Sequence, residues 1–362
     1  MSPSQDHVHD HARAHIWPGV PLALASAVLF GLATPFAKLL LGAMDAQMLA
    51  GLMYLGAGLG LGAVLLGRRA TSGPATEAPL RRHDMPWLAA VVLFGGVAGP
   101  LLLMLGLART PASTASLLLN LEGLATMGIA WLVFRESVDR RLLLGAFAIL
   151  AGAVLLSWQG GEVRLGGGAG LVALACLAWG IDNNLSRNLS SADPAEVAAI
   201  KGLAAGAANF GLALLRGGAL PAWPDAGAAA LVGFFGIGVS LVMFLLALRH
   251  VGTARTGAYF SLAPFVGALA AIVLLRDPLT PQLGLAGVLM GFGLWMHLAE
   301  RHAHEHEHEA LEHEHAHSHD DGHHDHAHPE GMVGSHSHRH RHMPMRHAHA
   351  HYPDLHHRHG HR

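Results

Sequence analysis

Residues 112–138 read ASTASLLLNLEGLATMGIAWLVFRESV. From Ala115 to Phe134 the only charged residue is Glu122, and the apolar run stops at Arg135-Glu136. A helix rises about 1.5 Å per residue and the hydrocarbon core of a bilayer is about 30 Å thick, so about 20 such residues make a span. The stretch is long enough to cross, and it recurs. Leu121-Glu122-Gly123 aligns with Leu262-Ala263-Pro264, and on the same offset Phe134-Arg135-Glu136-Ser137-Val138 aligns with Leu275-Arg276-Asp277-Pro278-Leu279. Gly152 then meets Gly293, and upstream Phe30-Gly31-Leu32 with Lys38 lines up with Trp179-Gly180-Ile181 and Arg187. Matched charged loops at one spacing argue for an internal repeat rather than chance similarity of apolar sequence.

Working outward, ten such stretches fit the chain: 20–41, 47–66, 87–107, 112–133, 141–158, 168–189, 195–215, 227–248, 254–275 and 282–299. Gly160-Gly161, Pro194, Gly217-Gly218, Pro221, Pro224 and Pro281 punctuate them. The expected fold is therefore all-α and integral to a membrane: ten transmembrane helices as two five-helix repeats, with a disordered histidine-rich C-terminal tail. Five is odd, so the second repeat should enter the membrane inverted, an architecture that recurs in secondary transporters. The units are residues 1–17, a short histidine-containing N-terminus; 18–160 and 161–300, the two repeats; and 301–362, the tail.

Composition agrees. Of 362 residues 52% are apolar and 13% charged, against about 25% charged in soluble domains, so lipid is the expected solvent. The formal net charge of −2 gives no support for nucleic-acid binding. The single cysteine, Cys176, rules out a disulfide within the chain and reads as a small packing residue. The first 17 residues hold four His, two Asp and one Arg, unlike the basic start of a cleavable signal, so the first apolar segment should remain as an anchor. With the N-terminus cytoplasmic, the inner loops hold ten arginines and the outer loops only Arg109, Arg164, Arg216 and Arg276. Both termini are then expected inside the inner (cytoplasmic) membrane. No phosphate-cradling loop and no nucleophile–base pair stands out, so neither an ATPase nor another enzyme is expected.

The segment from Thr110-Pro-Ala-Ser-Thr-Ala-Ser through Glu122-Gly123 to Trp131–Val138, with its counterpart Gly252-Thr-Ala through Ser261-Leu-Ala-Pro264 to Arg276-Asp277, resembles the EamA-type transporters of the drug/metabolite transporter superfamily. The resemblance covers roughly residues 20–299. It implies ten helices, an inverted repeat and a central cavity opened alternately to each side. The first half carries Gly123 where the family more often has proline, while Pro264 keeps it in the second. Cargo is poorly encoded in this family.

Ionisable groups at membrane depth cost about 2.5–3.5 kcal/mol on insertion scales and mark function or a partner. Glu122 lies about midway along the fourth span, near Asn120. A carboxyl out of water favours its protonated form, so Glu122 is a candidate for the coupling proton or a cationic solute, against a purely structural acid. Asp182, Asn183 and Asn184 form a polar patch in the sixth span, and Lys201 enters the seventh at comparable depth. Asp182 and Lys201 should pair, either as scaffold or as part of a gate or substrate site. Asn209 and Tyr259 are further cavity candidates. Lys38 and Arg187 are expected to snorkel to the interface, Pro35, Pro100 and Pro264 to kink their helices, and Gly56, Gly58, Gly60 and Gly62 to allow close packing.

After Arg301 stand 23 of the 30 histidines. His302, His304, His306 and His308, then His313, His315, His317 and His319, then His323, His324, His326 and His328 are the metal-ligand candidates; His7, His9, His11 and His15 echo them. Neutral imidazole suits nickel, cobalt, zinc or copper, and such tracts read as metal-binding. No cofactor is required. The partners expected are the lipid bilayer, a small-molecule or ion substrate and, in a homodimer, a second copy. The leading expectation is a secondary permease acting by alternating access, with export of divalent metal as one cargo. A drug, metabolite or amino-acid exporter with an accessory tail, and a non-transporting metal buffer or sensor, are the alternatives.

Overall fold

The computed structural model describes residues 19–72, 80–134, 140–159, 162–163, 167–189 and 193–298, together with four short segments of the tail. The spans are helical: α1 Gly19–Leu40, α2 Ala46–Ser72, α3 Arg82–Leu107, α4 Ala112–Phe134, α5 Arg140–Ser157, α6 Gly168–Ser186, α7 Pro194–Leu215, α8 Trp223–Phe260, α9 Ala263–Leu275 and α10 Pro281–Leu298. Among the described residues eight stretches are long and apolar enough to cross a membrane; α6 and α10 are the expected spans outside that group. In α6 the Asp182-Asn183-Asn184 run interrupts the apolar sequence. One boundary differs from expectation. A break was expected between 248 and 254, but the backbone is helical from Ser240 to Phe260 and turns at Ser261-Leu262.

Leu132 (74%), Phe147 (71%) and Val288 (69%) stand exposed, which only an apolar solvent tolerates across so many large side chains. The interior is made of small residues, among them Ala23, Ala27, Ala37, Ala175, Ala205, Ala229 and Ala286. Lipid gives no hydrophobic drive between helices, so close backbone approach does the packing. A Cβ on Gly31 of α1 would lie 2.5 Å from Ala263 O and 3.0 Å from Val266 of α9. A Cβ on Gly180 of α6 would lie 2.7 Å from Ala125 and 2.9 Å from the Thr126 nitrogen of α4. Gly31 and Gly180 are the aligned glycines, and Val266 and Ala125 are aligned too. The repeat written in the sequence is thus repeated in contact.

The same correspondence runs through the fold. Asp45 caps α2 at the Gln47 and Met48 amides (2.9 and 3.0 Å), and Asp193 caps α7 at Ala195 (2.8 Å). π-helical segments interrupt α3 at Val92–Ala98 and α8 at Phe234–Val239. The fourth helix of each repeat breaks, α4 at Leu119-Asn120 and the α8–α9 run at Ser261-Leu262. α1 packs on α8 and α9 of the other repeat, and α6 packs on α3 and α4. In the first group Ser26 and Ser240 each donate a hydroxyl to the other's backbone carbonyl, at 2.7 and 3.0 Å. α2 and α7 meet along a glycine-lined seam between these groups, and α5 packs against α10. In the tail, Ala303–His308 pairs with Met345–Ala350 and Glu312–His317 with His336–Arg341, both antiparallel. Disorder was expected there; alternation of His with a second residue type is the period of a strand.

Gly31→Val and Gly180→Val should each destabilise the protein by about 1–3 kcal/mol, the usual cost of overpacking. Gly62→Ala, where an added Cβ meets nothing within 4 Å, should leave stability unchanged. Thermal unfolding in detergent distinguishes the two classes.

Candidate functional site

The π segment of α3 is where the polar groups gather. A π turn bonds i to i+5 and leaves backbone carbonyls free of their ordinary partners. Gly95 O accepts from Tyr54 Oη of α2 and from Trp179 Nε1 of α6, each at 3.0 Å. Gly96 O and Val97 O accept from Asn209 Nδ2 of α7 at 3.3 and 3.4 Å. Asn209 is fully buried and its Oδ1 has no hydrogen-bond partner. Beside them Lys201 Nζ lies 2.5 Å from Asp182 Oδ2, both largely withdrawn from solvent. A Cβ on Gly95 would fall 2.1 Å from that oxygen and 2.5 Å from the ammonium, so the ion pair rests directly on the α3 backbone.

One helix away, Glu122 opens the second part of α4 just after the break at Leu119-Asn120. The break is tightened by i to i−3 bonds: Leu119 N–H to Ser116 O, Asn120 N–H to Leu117 O and Glu122 N–H to Leu119 O. Glu122 Oε1 accepts from Asn183 Nδ2 at 3.0 Å, and the same amide reaches Thr126 Oγ1 at 3.1 Å. Thr126 Oγ1 donates to Glu122 O at 2.9 Å. Asn184 Nδ2 spans Thr126 O (3.0 Å) and Gly180 O (2.8 Å), fastening α6 to α4. Asn183 is exposed and Glu122 half-buried, so both border open space. Among the described residues Glu122 forms no ion pair. Asp182 is neutralised by Lys201, which leaves Glu122 as the acid of this group without a cation.

Several expected members lie elsewhere. Asn120 turns away, bonding Leu117 O at 2.8 Å and contacting Met290 Sδ at 3.9 Å. Among the described residues no hydrogen bond joins Tyr259 to the group. Lys38 does not snorkel: its ammonium bonds Leu107 O (2.5 Å) and Thr110 O (3.0 Å), carbonyls at the end of α3 that need a donor. Arg187 lies 5.0 Å over the Phe134 ring. Among the described residues no three His, Cys, Asp or Glu converge as a metal site. His302, His319, His323, His324, His326 and His328 lie outside the described residues. Of the others only backbone register is defined, which sets His304 opposite His349, His306 opposite His347, His313 opposite His340, His315 opposite His338 and His317 opposite His336. Sequence reading missed Tyr54 and Trp179. Trp179 carried a signal, its place in the aligned Trp-Gly-Ile; Tyr54 carried none.

The chain matches the EamA-like transporter family twice, over residues 17–158 and 166–299. It belongs to that family. The two matches divide the chain where the repeat divides it. The EamA-like chain is 29% identical over 300 residues to an uncharacterized transporter of Methanothermobacter thermautotrophicus, covering 78% of this chain and 86% of the relative. It is 31% identical over 267 residues to an uncharacterized protein of Pseudomonas aeruginosa, covering 72% and 86%. A crystal structure 19% identical superposes with a TM-score of 0.57 over 77% of this chain and 95% of the other, which supports the fold alone. The chain is therefore a multi-pass membrane transporter of the EamA-like family, in contact with lipid.

Removing one partner of a buried ion pair costs about 3–5 kcal/mol, because the other charge is stranded. Lys201→Met should therefore destabilise the protein strongly, and adding Asp182→Asn should recover most of the loss. A double-mutant cycle on thermal unfolding measures the coupling.

Proposed function

We propose that the chain is a secondary carrier that moves a small solute across the inner membrane by alternating access, with Glu122 exchanging a proton against a cationic or amine-bearing solute. The observation that carries this reading is a carboxylate beside a helix break that accepts from Asn183 and, among the described residues, forms no ion pair. Half-helix ends and loosened backbone are where carriers of this kind build binding sites. Asn183 orients the carboxyl and is itself steadied by Thr126, while the Asp182–Lys201 pair supplies local charge without adding net charge. In this reading all ten helices cross, the second repeat is inverted, both termini face the cytoplasm and the chain carries no resident cofactor. A homodimer would bury part of the exposed apolar surface.

A second reading is favoured by the tail. Twenty-three histidines after Arg301 give imidazole in excess, and the paired register sets several of them opposite one another. Export of nickel, cobalt or zinc would use the tail to collect ions, with zinc or copper buffering as the non-transporting variant. A single carboxylate outside any ion pair, as Glu122 is among the described residues, favours an organic cation over a metal ion, which asks for several ligands at once.

Glu122→Gln should abolish coupled transport or remove its pH dependence, read as uptake or efflux by proteoliposomes across a range of pH. Normal transport with the pH profile intact ends the proposal for Glu122. For cargo, cells expressing the whole chain or one ending at Glu300 are compared for nickel, cobalt and zinc accumulation. Lower metal with the whole chain, lost on truncation, makes metal export the leading reading; no difference in either strain directs the search to organic solutes.

A further inference from the structure

The groups formed by α1, α8 and α9 and by α3, α4 and α6 touch again at one end of the bundle, away from the α2–α7 seam. Among the described residues, α4 packs on α9 chiefly along Ala112–Leu118, while Leu121–Phe134 packs on α6. Two charged side chains cross between the groups at that end. Ser113 donates both its backbone N–H and its hydroxyl to Asp277 Oδ2, at 2.8 and 2.9 Å. Lys38 of α1 donates to the carbonyls that close α3, and its ammonium is within electrostatic reach of Asp277.

The sequence explains why α4 needs this help. Pro111 precedes the helix and has no side-chain oxygen, so α4 has no cap of its own. Asp277 supplies the cap from the other repeat. It stands on a turn in which Arg276 adopts a left-handed conformation (φ 55°) and the Asp277 N–H reaches back to Ala271 O. A cation thus sits at the end of α3 and an anion at the start of α4, each matched to the helix dipole it faces. Neither residue comes from the group it fastens.

We propose that Asp277 is a latch that holds this face of the transport path shut, and that its bond to Ser113 breaks when the path opens there. The latch rests on the carrier reading above. In that reading a solute leaving by this face passes between α4 and α9, the gap that the Asp277–Ser113 bond spans. Losing the acceptor should shift the population toward the form open at the Asp277 face.

The test uses the full chain carrying Asn183→Cys, with buried Cys176 changed to Ala, in sealed vesicles of each sidedness. A membrane-impermeant maleimide reads access to the new thiol. In the chain with Asp277 intact, the thiol is expected to react from the face opposite Asp277. Adding Asp277→Ala should speed labelling from the Asp277 face by about tenfold or more, the factor for a lost charge-assisted hydrogen bond, and slow it from the other. Ser113→Ala and Asp277→Asn, which keep part of the contact, should give smaller shifts in the same direction. A thiol that reacts from the opposite face but ignores Asp277 in all three variants overturns the latch alone. Equal acceleration from both faces also overturns it, as general loosening. A thiol sealed from both faces in every variant overturns the latch and the carrier reading together.

Discussion

Hydrocarbon offers no hydrogen bonds, so every backbone group that leaves helical register must find its partner inside the protein. Most of the polar chemistry here answers that demand. The π segment of α3 releases carbonyls, and Tyr54, Trp179 and Asn209 are the donors that meet them. The end of α3 is met by Lys38 and the start of α4 by Asp277. The residues that look like a binding site are, in the first place, the residues that make irregular backbone tolerable at that depth. Function is layered on this necessity: where backbone is loosened and repaired by side chains, polar atoms converge, and a solute can find them.

The fold was largely legible because its signal is carried by length, apolarity and repetition, which survive without tertiary information. Gly31 and Gly180 could be aligned from sequence, and their equivalent contacts follow from that alignment. The Asp182–Lys201 pair was legible for a similar reason: two opposite charges at comparable depth in adjacent helices have few other partners. Asn120 and Asn183 were not separable in advance. Asn120 is near Glu122 in sequence and Asn183 lies in another span, and only helix rotation decides that Asn183 reaches the acid while Asn120 faces Met290. Lys38 misled because a lysine near a helix end has an obvious destination at the interface. The unsatisfied carbonyls that captured it belong to another helix and are silent in the sequence. The π segments were silent too, although Gly95-Gly96 in α3 and Gly236 with Gly238 in α8 mark where they fall.

The two repeats agree in shape and differ in chemistry. Glu122 aligns with Ala263, and the polar run of α6 has no counterpart in α1, where Ala33 and Thr34 follow the aligned glycine. Duplicated architecture supplies matched breaks and matched glycine contacts, while charge is concentrated on one side of the pseudosymmetry. Polar groups gather on α4 and α6, whereas α1 and α8 are more aromatic, with Phe30, Phe244 and Phe260 clustered there.

The seam between α2 and α7 has a mechanical consequence. Gly51 lies against the backbone of Phe210, Gly58 against Leu203 and Gly206 against Leu55. Backbone approaches backbone there, with Phe210, Leu203 and Leu55 seated in the notches the glycines leave. Interdigitated side chains must leave one set of rotamer wells for another when helices shift, which makes ordinary packed interfaces bistable. A glycine-lined contact has fewer of those wells to reset than one built from long side chains on both helices, and any Cβ added at Gly51, Gly58 or Gly206 would wedge the two backbones apart.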